Sequence, residues 1–254
     1  MEKARIPYPR VYNSPEEIDR LCIIKVSEAS RPYERSFFFA SSPEEYRENS
    51  EKLIKEKRIT KDALDKAVIE EFVLGVQVNL NYFYSPLDKR LELLGTDTRR
   101  QTNLDGLLRL PAQQQLALLE PARLSESATP LDHILMANPT IETQFIEAGH
   151  IACTVKESLL EQIFELGERF VRVSQDEYPP GIIGPFALQS VFKPGPPRET
   201  AVVFDISLRT PGSPGTRFTP YSGYLHREPL SFGKRIAMEI KKAIEMDRLR
   251  DIIT

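Results

Sequence analysis

The chain has 254 residues, 41% hydrophobic and 28% charged, with 34 Lys and Arg against 37 Asp and Glu for a net charge of −3. That balance excludes a disordered charged tail, which could not bury enough apolar surface to offset its ordering entropy, and gives no electrostatic case for nucleic acid as main partner. Two cysteines cannot build a disulfide framework, no stretch approaches the roughly 20 apolar residues of a membrane span, and MEKARIPYPR lacks an apolar signal core, so a cytoplasmic setting away from membranes is expected.

Leu21 to Val26 is an apolar, β-branched run that predicts a strand, and Phe37 to Ala40 predicts a second, joined by the polar loop Ser27 to Ser36. Ser42, Pro43, Glu44 and Glu45 form a helix start, with a serine cap, proline at the first position and acids in the first turn. That helix is predicted through Lys57, with Tyr46, Leu53 and Ile54 inward. Ala67 to Leu74 predicts a strand ending at Gly75. Val76, Val78, Leu80, Tyr82 and Tyr84 alternate with Gln77, Asn79, Asn81 and Phe83, the pattern of a half-buried strand. Ser85 to Asp88 reads as a turn and Arg90 to Asp97 as its antiparallel return. Leu116 to Thr140 is expected to be loop-rich with some helix.

Further on, Ile151 to Val155 predicts a strand. Glu157 to Ser174 predicts an amphipathic helix with Leu160, Ile163, Phe164, Gly167, Phe170 and Val171 on one stripe. Strands follow at Pro185 to Phe192 and Thr200 to Leu208. Arg209 to Tyr224 reads as a Gly/Pro-rich loop, and Ser231 caps a helix through Leu249 with Ile236, Ile240 and Ile244 inward. Strands that neighbour in sequence without short parallel crossovers predict an α+β fold.

The chemistry available is limited. His133, His150 and His226 share no helical or strand spacing, and no Gly-rich phosphate loop or nucleophile motif is present. Carboxylates, amides, lysine and arginine around a hard cation or an anion remain. Lys25 ends an apolar strand, where a half-buried ammonium needs an anion or water; a phosphate contact and an outward strand-end residue both fit. Gln189 and Asp205 lie mid-strand in PFALQSVF and AVVFDISL. On adjacent strands they would offer oxygens that suit Mg²⁺, though alternation is equally satisfied if both face solvent. Arg209 and Arg217 add fixed cationic donors to the loop that follows. Arg99 to Asp105 is a polar cluster that fits either ligand binding or a plain surface loop.

In this order, Lys25, Glu70-Glu71-Phe72-Val73 and the later amide–carboxylate pair form a more specific set. They come with the blocks SPEEID (14–19), IEEFVLG (69–75), YFYSPL (82–87), LELLGTDTR (91–99), NLDGLLRLPAQQQL (103–116), KESLL (156–160), PPGIIGPFALQS (179–190) and GKRIAMEIKKAIE (233–245). On these the chain resembles the archaeal formate-dependent 5-formaminoimidazole-4-carboxamide ribonucleotide synthetases, ATP-grasp ligases of purine biosynthesis. The resemblance implies two α+β subdomains with mainly antiparallel sheets, a small one over 1–75 and a C-terminal one with the metal and phosphate site over 76–254. It implies ATP, Mg²⁺ (or Mn²⁺ in its place), formate and an aminoimidazole carboxamide ribonucleotide as reactants, with formyl phosphate between them. By position, Lys25 would touch phosphates, Glu70, Glu71, Phe72 and Val73 would hold adenine and ribose, and Gln101 would lie near ATP. Asn103 and His150 would bind the ribonucleotide, Gln189 and Asp205 the metal, and Arg209 would be catalytic.

The departures from the family are specific. Residues 27–36 contain no glycine where a phosphate-covering loop is expected. Gln101 stands for a glutamate, His150 for an asparagine, Lys156 for an arginine and Asp205 for a glutamate. Met1 falls where the ATP-grasp part begins, so the family's N-terminal substrate domain is expected to be absent or supplied by another subunit. The alternative is a catalytically weak or inactive paralogue that serves as a nucleotide-binding or partner subunit, and a homo-oligomer is open.

Overall fold

The computed structural model describes residues 1–26, 37–102, 111–112, 145–212 and 215–253, with backbone alone at 100–102 and 145–147. The loop predicted at 27–36 and the excursion at 116–140 lie outside these residues. The N-terminal apolar runs form a four-stranded antiparallel sheet of β1 (Val11–Tyr12), β2 (Cys22–Lys25), β3 (Phe37–Ala40) and β4 (Val68–Glu71), in the order β1-β4-β2-β3. Alternate side chains, Cys22 and Ile24 with Phe38, Ala40 and Ile69, enter a core shared with Tyr46 of helix α1 (Pro43–Lys55). Ser42 Oγ accepts the Glu45 amide at 3.2 Å. The helix stops short of the predicted Lys57 because that residue turns left-handed, at φ 57°. A short helix α2 (Lys61–Leu64), capped by Thr60, leads into β4.

The rest of the chain builds a five-stranded antiparallel sheet in the order β7-β6-β5-β8-β9, from β5 (Val76–Ser85), β6 (Arg90–Thr102), β7 (Phe145–Ala152), β8 (Gly184–Lys193) and β9 (Thr200–Ser207). The strand predicted at 151–155 therefore lies mostly earlier. Val78, Leu80 and Tyr82 face the core with Phe186, Leu188 and helix α3 (Leu160–Glu177), which supplies Ile163, Leu166 and Val171. Tyr82 stacks on Phe186 at 5.1 Å and donates its hydroxyl to the Ile163 carbonyl at 2.8 Å. Ala4 and Ile6 join this core, and the Val203 amide donates to the Pro7 carbonyl at 2.8 Å.

Two predictions fail here for physical reasons. β5 is buried on both faces from Val78 onward, because its polar face is covered as well. The last helix, α6 (Phe232–Glu245), turns Phe232, Arg235, Glu239 and Ala243 inward, while Ile240 and Ile244 are 43% and 60% exposed. Buried ionic partners on the sheet set that rotation. Arg235 forks onto Glu92 at 2.8 and 3.0 Å and reaches Glu239 at 2.8 Å. Ser85 donates to Glu239 at 2.6 Å, and His226 Nε2 lies 3.0 Å from Glu92. The Arg235 guanidinium also covers the Phe83 ring at 4.2 Å. Burial alone would raise the Glu92 carboxyl; hydrogen bonds from Arg235 and His226 outweigh it and hold the group at about 2. The predicted loop 209–224 also contains two short helices, α4 (Gly215–Phe218) and α5 (Tyr221–His226). α4 packs so closely that a Cβ on Gly95 would stand 2.5 Å from the Gly215 backbone.

Candidate active site

In an antiparallel ladder, residues directly opposite each other share a face. Asp97 pairs with Asn79, Asn79 with Gln189 and Gln189 with Asp205, so one polar row crosses four strands of the large sheet. This is the face opposite the α3 core. Part of it lines a cavity of about 580 Å³ whose other wall is the small sheet, a size within the range of small-molecule sites.

Of the residues expected at the site, Lys25, Glu70, Glu71, Phe72, Val73, Gln189, Asp205 and Arg209 all line this cavity. Lys25 Nζ lies 2.6 Å from Glu70 Oε2, and 6.0 Å from the ring centroid of Phe204 on the opposing sheet. Gln189 is 4% exposed and donates Nε2 to Asp205 Oδ2 at 2.8 Å, which removes the option that both face solvent. Between Gln189 and Ser190 the register slips, because Asp205 and Val203 are their successive partners and Phe204 is the extra residue. This bulge breaks the alternation and brings both Phe204 and Asp205 to the cavity.

His150 stands apart from the cavity lining but on the same face, opposite Arg99 and two residues along from Asp97. Its Nδ1 lies 2.5 Å from Asp97 Oδ1. Asp97 has no exposed surface, and it also accepts Asn79 Nδ2 at 2.8 Å and Asn81 Nδ2 at 2.6 Å. A buried carboxylate persists only with such donors. Gln101 lies on β6 with its side chain outside the described residues, and Asn103 is outside them altogether. Arg99, predicted to open a polar cluster after a strand, is instead within β6 and lines the cavity.

An amide oxygen and a carboxylate are hard donors. A cation there would need the Gln189 amide turned so that Oε1, in place of Nε2, faces it. Among the described residues no group of three or more His, Cys, Asp or Glu could hold a metal. Hard oxygen donors of this kind are compatible with Mg²⁺, which takes one or two protein ligands and completes its shell with phosphate oxygens and water.

Several residues escaped the sequence reading. Phe37 and Phe39 lie on one side of β3, with ring centroids 5.9 Å apart, and Phe39 meets Phe72 edge-on at 5.0 Å. Their period-two spacing was a usable signal. The Asp97–Asn79–Asn81 cluster was also signalled, by asparagines at alternate positions of an otherwise apolar strand. Nothing local announced the Phe204 bulge.

Residues 45–254 match the family described as "Domain of unknown function (DUF1297)". The chain is 37% identical over 256 residues to a 5-formaminoimidazole-4-carboxamide-1-(beta)-D-ribofuranosyl 5'-monophosphate synthetase of Methanocaldococcus jannaschii, covering all of this chain and 64% of that protein. A protein of the same name from Thermococcus kodakarensis is 36% identical over 256 residues, covering all of this chain and 68% of the relative. The crystal structure of an IMP biosynthesis protein PurP from Thermococcus kodakaraensis aligns with a TM-score of 0.61 at 27% identity, over 100% of this chain and 65% of that one. The chain thus spans just under two-thirds of the Methanocaldococcus relative's length.

Proposed function

The chain belongs to the family of 5-formaminoimidazole-4-carboxamide ribonucleotide synthetases and has their ATP-grasp fold, and from that premise we propose that it is an ATP- and formate-dependent ligase. It would join formate to the amine of 5-aminoimidazole-4-carboxamide ribonucleotide through formyl phosphate, in the synthesis of IMP. One observation carries this reading. Lys25 on the small sheet and Phe204, next to Asp205, on the large one approach within 6.0 Å across the cavity. A single ligand can therefore meet the ammonium and the Gln189–Asp205 pair together.

In this reading residues 1–75 and 76–254 are the two gripping halves. Glu70 to Val73 hold adenine and ribose against the rings of Phe37, Phe39 and Phe204. Lys25 leaves Glu70 for the phosphates. Arg209, at the cavity's edge, supplies a further cation for the charge that develops on the transferred phosphoryl group. Gln189 and Asp205 hold Mg²⁺, which neutralises phosphate charge when bound. Gln101 near ATP and Asn103 near the ribonucleotide rest on the resemblance alone. Among the described residues no helix is long and apolar enough to cross a membrane. In this reading the reaction, with its phosphorylated solutes, is a cytoplasmic one.

The test is product formation by the purified chain with Mg²⁺, ATP, formate and the ribonucleotide. ADP release that requires both formate and ribonucleotide, with a formamide product by mass spectrometry, is expected. ATP binding without turnover under these conditions would point instead to a nucleotide-binding paralogue.

A further inference from the structure

We propose that Pro7–Arg10 is a second hinge strand that holds the two walls of the cavity face to face, and so positions a nucleotide's base and phosphates together. Its purpose, though not its geometry, rests on the ligase reading above. Among the described residues the chain crosses between the two sheets twice. One crossing joins β4, which ends at Glu71, to β5, which begins at Val76. The other is the N-terminal segment. Ala4 and Ile6 are buried in the core of the large half and Tyr12 in that of the small one. Between these anchors the Pro7 carbonyl accepts the Val203 amide of β9 at 2.8 Å. The Arg10 carbonyl accepts the Glu71 amide, also at 2.8 Å.

Each end therefore grips a strand that carries site residues. Val203 sits at the β9 bulge, two residues before Asp205, and Glu71 lines the cavity, as does Pro9 between them. The segment is also stiff. Proline fixes its own φ near about −65° and drives the residue before it out of the helical region. Ile6, Pro7, Tyr8 and Pro9 are thus all held extended by their sequence. Neither proline has an N–H to leave unpaired in the crossing.

Two attachments restrict motion as one cannot. At the small sheet the crossings are neighbours about 5 Å apart, because β1 pairs with β4. At the large sheet one runs outside β9 and the other enters β5, three strand spacings or about 14 Å away. A single link would let the small sheet swing and twist; a splayed pair leaves one opening axis. The β4–β5 crossing has little slack of its own, since a Cβ on Gly75 would stand 2.4 Å from the Phe192 carbonyl oxygen.

Two measurements on the full chain test this, using Gly-Ser inserted between Tyr8 and Pro9 to slacken the segment. First, spin labels on Glu51→Cys of α1 and Glu168→Cys of α3, both exposed, report the distance between the halves. Cys153→Ser removes a competing thiol, and Cys22 has no exposed surface. A single narrow distribution is expected without the insertion and one about twice as wide with it. Second, the insertion should weaken binding of ATP with Mg²⁺ about tenfold or more, because lost preorganisation falls on a ligand that needs both walls. Adenosine, held chiefly by Glu70 to Val73, should change less than about threefold. Where the insertion unfolds the chain, Pro7→Gly with Pro9→Gly, which keeps the length, is read in the same way. Unchanged width, or equal effects on ATP and adenosine, overturns the proposal. The width measurement uses no nucleotide, so it decides the tether even if the unsubstituted chain binds no ATP, the result that removes the ligase reading.

Discussion

Single residues decide what the two sheets can bind and how they hold together. Arg235 carries the largest single burden. It is buried between Glu92 and Glu239, so Arg235→Met takes the fork from Glu92, which keeps only Arg90 at 3.2 Å and His226 at 3.0 Å, and the ion-pair partner from the buried Glu239. A loss of about 3–5 kcal/mol in unfolding free energy is expected, read from the urea midpoint. Glu92 makes the same cluster sensitive to acid. Its carboxyl lies at about 2 in the fold against an ordinary 4.5. It therefore favours the folded state above pH 4.5, and that contribution is lost as the pH falls from 4.5 towards 2. Glu92→Gln should be less stable at pH 7 and lose less stability across that interval; an identical pH slope would count against the assignment. At this scale Lys25, Gln189 and Asp205 were legible in the sequence, since each is a polar group in an apolar strand. Phe204 was not, because a bulge depends on how two strands pair and leaves no local mark.

Secondary-structure elements were legible where local chemistry dominates. The Ser42 and Ser231 caps start helices at the predicted positions, and the central strand's alternation is real even though both its faces are covered. The last helix shows the limit. Its isoleucines repeat at helical spacing and Ile236 packs inward as expected, yet the buried ion network on the sheet leaves Ile240 and Ile244 outward, and periodicity cannot report a partner 143 residues away. Packing between elements gives a further prediction. A methyl group on Gly95 would meet the Gly215 and Thr216 backbone at 2.5 Å, whereas one on Gly212 meets nothing within 4 Å. Gly95→Ala should lower stability by about 1–3 kcal/mol, while Gly212→Ala stays within about 0.5 kcal/mol, both read from thermal midpoints. Equal effects would mean that α4 is not seated against β6 as described.

For the whole molecule, the ordered motifs pointed to an ATP-grasp fold, and two antiparallel sheets with a cavity between them are present. What no stretch of sequence revealed was that the polar face of the large sheet is interior, closed at one end by α6 and facing the small sheet at the other. That arrangement makes ATP binding by this chain the central claim. The direct measurement is calorimetric titration of ATP with Mg²⁺ into the purified chain. The account predicts one saturable site filled below millimolar ATP, weakened at least tenfold, about 1.4 kcal/mol, by Lys25→Ala and by Asp205→Ala. No saturable binding at millimolar ATP, or affinity indifferent to both substitutions, would contradict it.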